Sequence, residues 1–110
     1  MKRHRDPAQE SASFPASILA EVRRIAQETL AEEEVTVYLF GSWARGEATS
    51  RSDIDLAVES QTPLPRGLLA RLRERLEESH IPYRVDVVDL QKTDAAFRRR
   101  VLEEGILWSD

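Results

Sequence analysis

Three aspartates lie in two short segments, and their spacing would allow their carboxylates to bind a divalent cation. Asp53 and Asp55 flank Ile54, and Asp86 lies in the later run Val85–Leu90. In an extended strand, residues two apart point to the same side, so Asp53 and Asp55 share a face with their Cα atoms about 6.6–7 Å apart. Unit charges of the same sign about 4 Å apart repel by roughly 4 kcal/mol at an effective dielectric near 20, so the pair favours a divalent cation.

A Gly-Ser pair at the end of a predicted strand precedes the aspartates. Val35–Phe40 is a short apolar run rich in β-branched and aromatic residues, which predicts a buried strand. Gly41 permits a sharp turn and the close approach of a ligand, and residues 42–45 can form a short helical turn that begins at Ser42. Free N–H groups and a hydroxyl at such a turn bind phosphate. A phosphate-binding turn that faces paired carboxylates predicts metal-assisted phosphoryl or nucleotidyl transfer.

A third predicted strand, Tyr83–Leu90, carries two more aspartates. Alternation puts Val85 and Val87 on one face together with Asp89, and it puts Asp86 on the other. If the valines pack under helices, Asp86 emerges beside the Asp-x-Asp pair. We therefore expect Asp86 to join that pair and Asp89 to be a strand-end or helix-entry acid.

Helical periodicity and breakers predict the elements around these segments. We expect a loose tail over residues 1–13 and one domain over residues 14–110. The predicted helices run from a cap at Ser13 to about Glu33, from about Gly67 to Ser79, and from about Asp94 to Glu104. The segment 106–108 either adds an edge strand or contacts a partner. The predicted fold class is α/β (α+β), with a small mixed sheet flanked by helices.

Composition restricts the classes of function that fit. The chain has 110 residues and a net charge of -4, so we expect a single domain that does not bind nucleic acid directly. It contains no cysteine, which excludes disulfides and thiolate metal sites. No stretch is long and apolar enough to predict a membrane span, and no signal peptide is recognisable. The expected location is the cytoplasm.

The central segment resembles a known family. Gly41-Ser42, ten residues, then Asp53-Ile54-Asp55 is similar to the Gly-Ser-x10-Asp-x-Asp signature of the DNA polymerase β-type nucleotidyltransferases. The fuller pattern, with Ala44-Arg45-Gly46, resembles the minimal nucleotidyltransferase branch, which includes MntA-type antitoxins. The resemblance implies the polymerase β-type nucleotidyltransferase core. It also implies Mg²⁺, as two ions, on Asp53, Asp55 and Asp86, and an ATP substrate whose β- and γ-phosphates lie on Gly41 and Ser42.

Two neighbouring side chains keep alternative interpretations. Arg45 either contacts phosphate or the acceptor, as a cofactor-binding residue, or pairs with a surface acid. Trp43 either stacks on a base or a partner, or covers the core.

The resemblance also implies an acceptor on a second protein. Members of the minimal branch act with a small all-helical partner of the HEPN type, and in MntA-type pairs the small chain transfers AMP from ATP to that toxin. A chain this short leaves the acid-bearing face of the sheet open, which favours a helical partner that covers it. The alternatives are an antitoxin that inhibits its partner by contact without catalysis, and an adenylyltransferase acting on a small molecule.

Overall fold

The computed structural model describes residues 7–49 and 51–108, which form a mixed four-stranded sheet with helices on both faces. The strand order is β3-β2-β1-β4; β1 is antiparallel to β2 and β4, and β2 is parallel to β3. This architecture confirms the predicted fold class. The elements in chain order are α1 (Pro7–Thr29), β1 (Val35–Phe40), α2 (Ser42–Arg45), β2 (Ile54–Ser60), α3 (Leu68–Glu78), β3 (Val85–Asp89), a 3₁₀ turn (Leu90–Lys92), α4 (Ala95–Glu104) and β4 (Ile106–Leu107).

One face of the sheet forms the main core under α1 and α3. Ile54, Leu56 and Val58 on β2 are all fully buried there, as their alternation predicts. Val22 of α1 and Leu72 of α3 are fully buried in the same cluster. Every second residue of β2 is therefore fixed by packing, and the residues between them must point to the opposite face.

The opposite face is partly covered by α4, which corrects the expectation that the acid-bearing face lies open. Val101 of α4 packs against Ala57 of β2, and Phe97 meets Phe40 edge-on with ring centroids 5.6 Å apart. Tyr38 of β1 adds to this smaller cluster. These outward-facing side chains of β1 give α4 an apolar surface to bury. The aspartate end of the face remains accessible beyond α4.

The first helix differs from its predicted bounds. The backbone is helical from Pro7, so Ser13 and Pro15 lie inside α1 instead of at its start. Of the predicted tail, residues 1–6 lie outside the described residues and residues 7–13 are helical. The helix ends at Thr29 and not near Glu33. Acidic side chains, here those of residues 32–34, are unfavourable near the negative end of a helix dipole, which explains the early end.

The C-terminal segment completes the sheet. Ile106 and Leu107 form β4 beside β1, as the edge-strand alternative predicted. Both side chains are exposed. The Trp108 N–H donates to the Val37 carbonyl at 2.8 Å, and the indole is buried. No helix among the described residues is long and apolar enough to cross a membrane.

Candidate active site

The turn after β1 has the backbone conformation that the Gly-Ser pair predicts. Gly41 has φ +77° and ψ −158°, a combination that residues with a side chain rarely adopt, and α2 begins at Ser42. The N–H groups of Ala44 and Arg45 donate to the Gly41 carbonyl at 3.1 and 3.2 Å. The N–H groups of Ser42 and Trp43 precede these bonds and have no carbonyl one helical turn earlier. The turn therefore offers donors to an anion.

Gly41 lies directly against the Asp55 carboxylate. Phe40 pairs with Asp55 across the antiparallel strands, which brings the turn to this position. A Cβ atom built on Gly41 would overlap Asp55 Oδ2. Backbone conformation and the lack of space therefore both require glycine here. The close approach joins the turn and the carboxylate in one site.

The three predicted aspartates lie together at one end of the acid-bearing face. Asp55 and Asp86 are register partners on the parallel strands β2 and β3. Asp53 immediately precedes β2, where the Ile54 N–H donates to the Arg84 carbonyl at 2.9 Å. Burial raises the pKa of Asp55, and the negative charges of Asp86 and Asp53 raise it further. The expectation that Asp86 emerges beside the Asp-x-Asp pair is confirmed as geometry.

These carboxylates fit a hard divalent cation by their chemistry. Carboxylate oxygens are the ligands that Mg²⁺ prefers, and a cation would offset the repulsion that raises the pKa of Asp55. The fit is incomplete, because no three acidic or histidine side chains in the described part of the chain are gathered as a closed set of ligands. Asp86 Oδ1 instead lies 3.4 Å from Arg84 Nε. Because the Arg84 side chain is 75% exposed, this ion pair is a weak surface contact.

Arg45 lies at the end of α2, on the side of the aspartates. Its Nε is 2.9 Å from Glu47 Oε1, and both side chains are largely exposed. Its positive charge lowers the pKa of Asp55, against the larger effects that raise it. The pairing with a surface acid is therefore the observed arrangement, and a phosphate contact by Arg45 stays a prediction.

Trp43 belongs to the core, which decides between its two interpretations. The indole is 8% exposed. Its Nε1–H donates to the Ser52 carbonyl at 3.3 Å, and its ring meets Tyr83 edge-on with centroids 5.0 Å apart. This role was not predictable from sequence, because a single aromatic residue in a turn has no periodicity that reveals its partner.

A small cleft beside the site was also missed from sequence. It has a volume of about 190 Å³ and adjoins Gly41 on the side of α4. Phe40 and Phe97 line it, and Arg100 and Glu104 of α4 lie among its other walls. A larger groove of about 660 Å³ runs between α3 and β3 and contains none of the predicted site residues.

Known proteins share this fold and this site region. A curated protein of Haemophilus influenzae (strain ATCC 51907 / DSM 11121 / KW20 / Rd), named "probable protein adenylyltransferase MntA", is 41% identical over 80 residues, which are 73% of this chain and 68% of the relative. A solved structure described as a minimal nucleotidyltransferase is 32% identical, with a TM-score of 0.69 over 84% of this chain and 93% of the other. A crystal structure of a toxin-antitoxin with AMP-PNP is 27% identical, with a TM-score of 0.64 over 79% of this chain and 72% of the other.

The family model described as polymerase beta nucleotidyltransferase matches residues 22–109. The match includes the Gly41 turn, the three aspartates and the strands that carry them. It covers well over half of the chain. The chain therefore belongs to the polymerase beta nucleotidyltransferase family.

Proposed function

We propose that this chain is an Mg²⁺-dependent protein adenylyltransferase that moves AMP from ATP onto a hydroxyl of a small helical HEPN-type partner. The observation that carries the proposal is the contact between the Gly41 turn and the Asp55 carboxylate. It joins a phosphate-binding turn to a set of acids, as nucleotidyl transfer needs. The relative named as an adenylyltransferase and the toxin-antitoxin structure with AMP-PNP support the choice of reaction. A cytoplasmic location is part of this proposal, because the proposed reaction consumes ATP.

Each site residue has a separate role in this reaction. The turn at Gly41 and Ser42 binds the β- and γ-phosphates through its free N–H groups, and Arg45 can join them by leaving its exposed partner Glu47. Asp53, Asp55 and Asp86 would hold Mg²⁺. When bound, Mg²⁺ offsets the charge of the triphosphate and makes the acceptor hydroxyl more acidic.

The chemical step balances without a further reactant. The acceptor oxygen forms a bond to the α-phosphorus as the bond from that phosphorus to the bridging oxygen breaks. Pyrophosphate leaves with the electron pair, and Asp86 takes the hydroxyl proton as general base. Asp86 suits this role because it lies at the solvent side of the register pair with Asp55, with 43% of its side chain exposed.

The partial cover by α4 explains why the acceptor belongs on another protein surface. α4 protects the Ala57 part of the face, whereas Asp53, Asp55 and Asp86 stay partly exposed beyond it. An acceptor has to reach within about 3–3.5 Å of the reacting phosphorus, and water has to be kept away. A protein surface that docks on this end of the sheet meets both needs.

The test is co-expression of the chain with the protein encoded beside it. We expect a small helical protein to co-purify with a tag on this chain. Its intact mass should increase by one or more AMP units after incubation with ATP and Mg²⁺. The matched control is the double variant Asp53→Asn with Asp55→Asn, which should still co-purify but leave the partner mass unchanged. A wild-type complex whose partner never gains AMP would contradict the transferase and favour inhibition by contact.

A further inference from the structure

We propose that Trp43 is a positioning residue that holds the phosphate-binding turn and the aspartate-bearing strands in register, and that its indole reports the binding of Mg²⁺-ATP. The inference rests on the proposed function and assigns a role to a buried side chain that touches no predicted reacting atom. The phosphate-binding turn and the carboxylates come from separate segments of the chain. Their relative position decides whether one nucleotide can contact both.

The first contact joins the turn to the first aspartate. Trp43 is the second residue of α2 and directly follows Ser42, so its backbone belongs to the phosphate-binding turn. Its Nε1–H donates to the carbonyl of Ser52, which directly precedes Asp53. One hydrogen bond of 3.3 Å therefore connects the two halves of the site across the loop between them.

That loop is itself ordered where the indole reaches it. The Ser52 N–H donates to the Thr49 carbonyl at 3.0 Å, and the Thr49 N–H donates to Ser52 Oγ at 2.9 Å. Ser52, whose carbonyl accepts from the indole, is thus held by two hydrogen bonds to Thr49. Because Ser52 is itself held in place, the hydrogen bond from the indole N–H to its carbonyl can position the start of β2.

The second contact joins the indole to the segment just before β3, the strand that carries Asp86. The Tyr83 ring packs edge-on against the indole at an interplanar angle of 78°. Tyr83 is followed by Arg84, whose carbonyl accepts the Ile54 N–H. Trp43, itself part of α2, therefore contacts the loop before β2 and the segment just before β3, the strand that carries Asp86. Phenylalanine could keep the packing, but only tryptophan supplies the N–H donor.

The other tryptophan of the chain is a matched control. Trp108 is also 8% exposed, so truncating either indole removes a similar buried surface. Its backbone N–H donates to Val37, and its carbonyl accepts from Arg23 Nη2 at 2.6 Å. These contacts lie at the β4 edge of the sheet. A general loss of packing should therefore affect both positions alike, whereas a loss of positioning should affect Trp43 alone.

The kinetic arm compares Trp43→Phe with Trp108→Phe in the complex with the partner. Misplacing reacting groups by about 1 Å can reduce a rate about 100-fold, so we expect kcat to fall about 10- to 100-fold in Trp43→Phe. The KM for ATP should change by less than about threefold, since the groups that bind ATP remain. Trp108→Phe should lower Tm to a similar extent and keep kcat within about twofold. Equal effects of the two variants on kcat would overturn the proposal.

The main fluorescence measurement leaves Trp43 unchanged, so it does not depend on whether the control variant Trp43→Phe folds. In Trp108→Phe the only indole is Trp43, and titration with Mg²⁺-ATP should shift its emission. In Trp43→Phe the emission of Trp108 should stay constant. Constant emission from Trp43 while calorimetry records ATP binding would overturn the inference and leave the proposed function intact. Failure of the wild-type chain to bind Mg²⁺-ATP in calorimetry would instead overturn the proposed function, and this inference with it.

Discussion

The two faces of β2 place neighbouring residues in opposite environments. Leu56 is fully buried under α1 and α3, whereas Asp55 lies on the other face against Gly41 and opposite Asp86. The first face stabilises the fold by removing apolar surface from water. The second partly buries Asp55 and gathers negative charge around it, and both effects raise the pKa of Asp55 and oppose folding at neutral pH. Because side chains alternate along β2, adjacent residues have different roles: Leu56 stabilises the fold, and Asp55 belongs to the candidate active site.

The largest expected effect concerns the apolar face. Leu56→Ala should lower the free energy of unfolding by about 3–5 kcal/mol, because it leaves a cavity in a site that is fully buried. That loss is a large part of the roughly 5–15 kcal/mol that holds a domain folded. Urea unfolding monitored by circular dichroism measures it. A decrease of less than about 1 kcal/mol in the free energy of unfolding would contradict the view that packing on the apolar face stabilises the fold.

The next effect separates the two aspartates of β3. Asp86→Asn should reduce transfer about 100-fold or more while ATP binding changes little, because the general base is lost but the donors of the turn remain. Asp89→Asn is the control, since the Asp89 side chain accepts the Gln91 N–H at 3.0 Å and ends the strand. Because asparagine keeps the accepting oxygen and caps about as well as aspartate, this variant should change stability little and leave transfer near the wild-type rate. The reverse pattern of activities would move the role to Asp89.

A smaller effect, of opposite sign, is expected on the acid-bearing face. The pKa of Asp55 is raised above 3.8, so the folded state holds its proton more tightly than the unfolded chain. This group therefore costs no stability below pH 3.8, and it destabilises the fold as pH rises through its folded pKa. Asp55→Asn should raise Tm by about 2–5 °C at pH 7, and the gain should vanish near pH 3.

Thermal melts across pH with and without Mg²⁺ measure this gain and test its cause. Mg²⁺ should raise the Tm of the wild-type chain and have little effect on Asp55→Asn. A lower Tm for Asp55→Asn at pH 7 would show that the carboxylate stabilises the fold, contrary to the comparison of the two faces.

The smallest effect concerns the ion pair at the edge of the site. Glu47→Gln should tighten ATP binding about two- to fourfold, because an exposed ion pair is worth only about 0–1 kcal/mol and its removal frees Arg45 for phosphate. Glu28→Gln, which alters exposed ion pairs with Arg24 and Arg75 on α1 and α3, should leave the Kd for ATP unchanged. Calorimetry with Mg²⁺-ATP compares them. An unchanged Kd in Glu47→Gln would contradict a phosphate contact by Arg45 and favour its role as a surface residue.

Local pattern was sufficient to predict the centre of the molecule. The bounds of β1 and α2 and the alternation along β2 follow from residues within a few positions of one another. The choice of Asp86 over Asp89 followed from the period of two along β3, and the register with Asp55 confirms its placement. The residues alone predicted the class of reaction, metal-assisted phosphoryl or nucleotidyl transfer, whereas the ATP substrate and the acceptor on a helical partner were predicted only through the family resemblance.

Long-range packing decided the features that sequence did not predict. The periodicity of α4 identifies an apolar stripe but not the face of the sheet that the stripe meets, so the cover over Ala57 was missed. The proline rule favoured a helix start near Ser13, yet α1 continues through Pro15. Trp43 was ambiguous because its partners Ser52 and Tyr83 are distant in sequence.

The parallel pairing of β2 with β3 makes the order of folding matter for activity. Parallel neighbours cannot be joined by a tight hairpin, so Asp86 reaches Asp55 only after the chain has crossed over through α3. The antiparallel pairing of β1 with β2 closes a shorter loop, which favours earlier formation because loop-closure entropy opposes distant contacts. A nascent chain can therefore form the phosphate-binding turn before it gains its proposed proton acceptor. Until the crossover is complete, the chain therefore lacks the residue that the proposed transfer requires as its base.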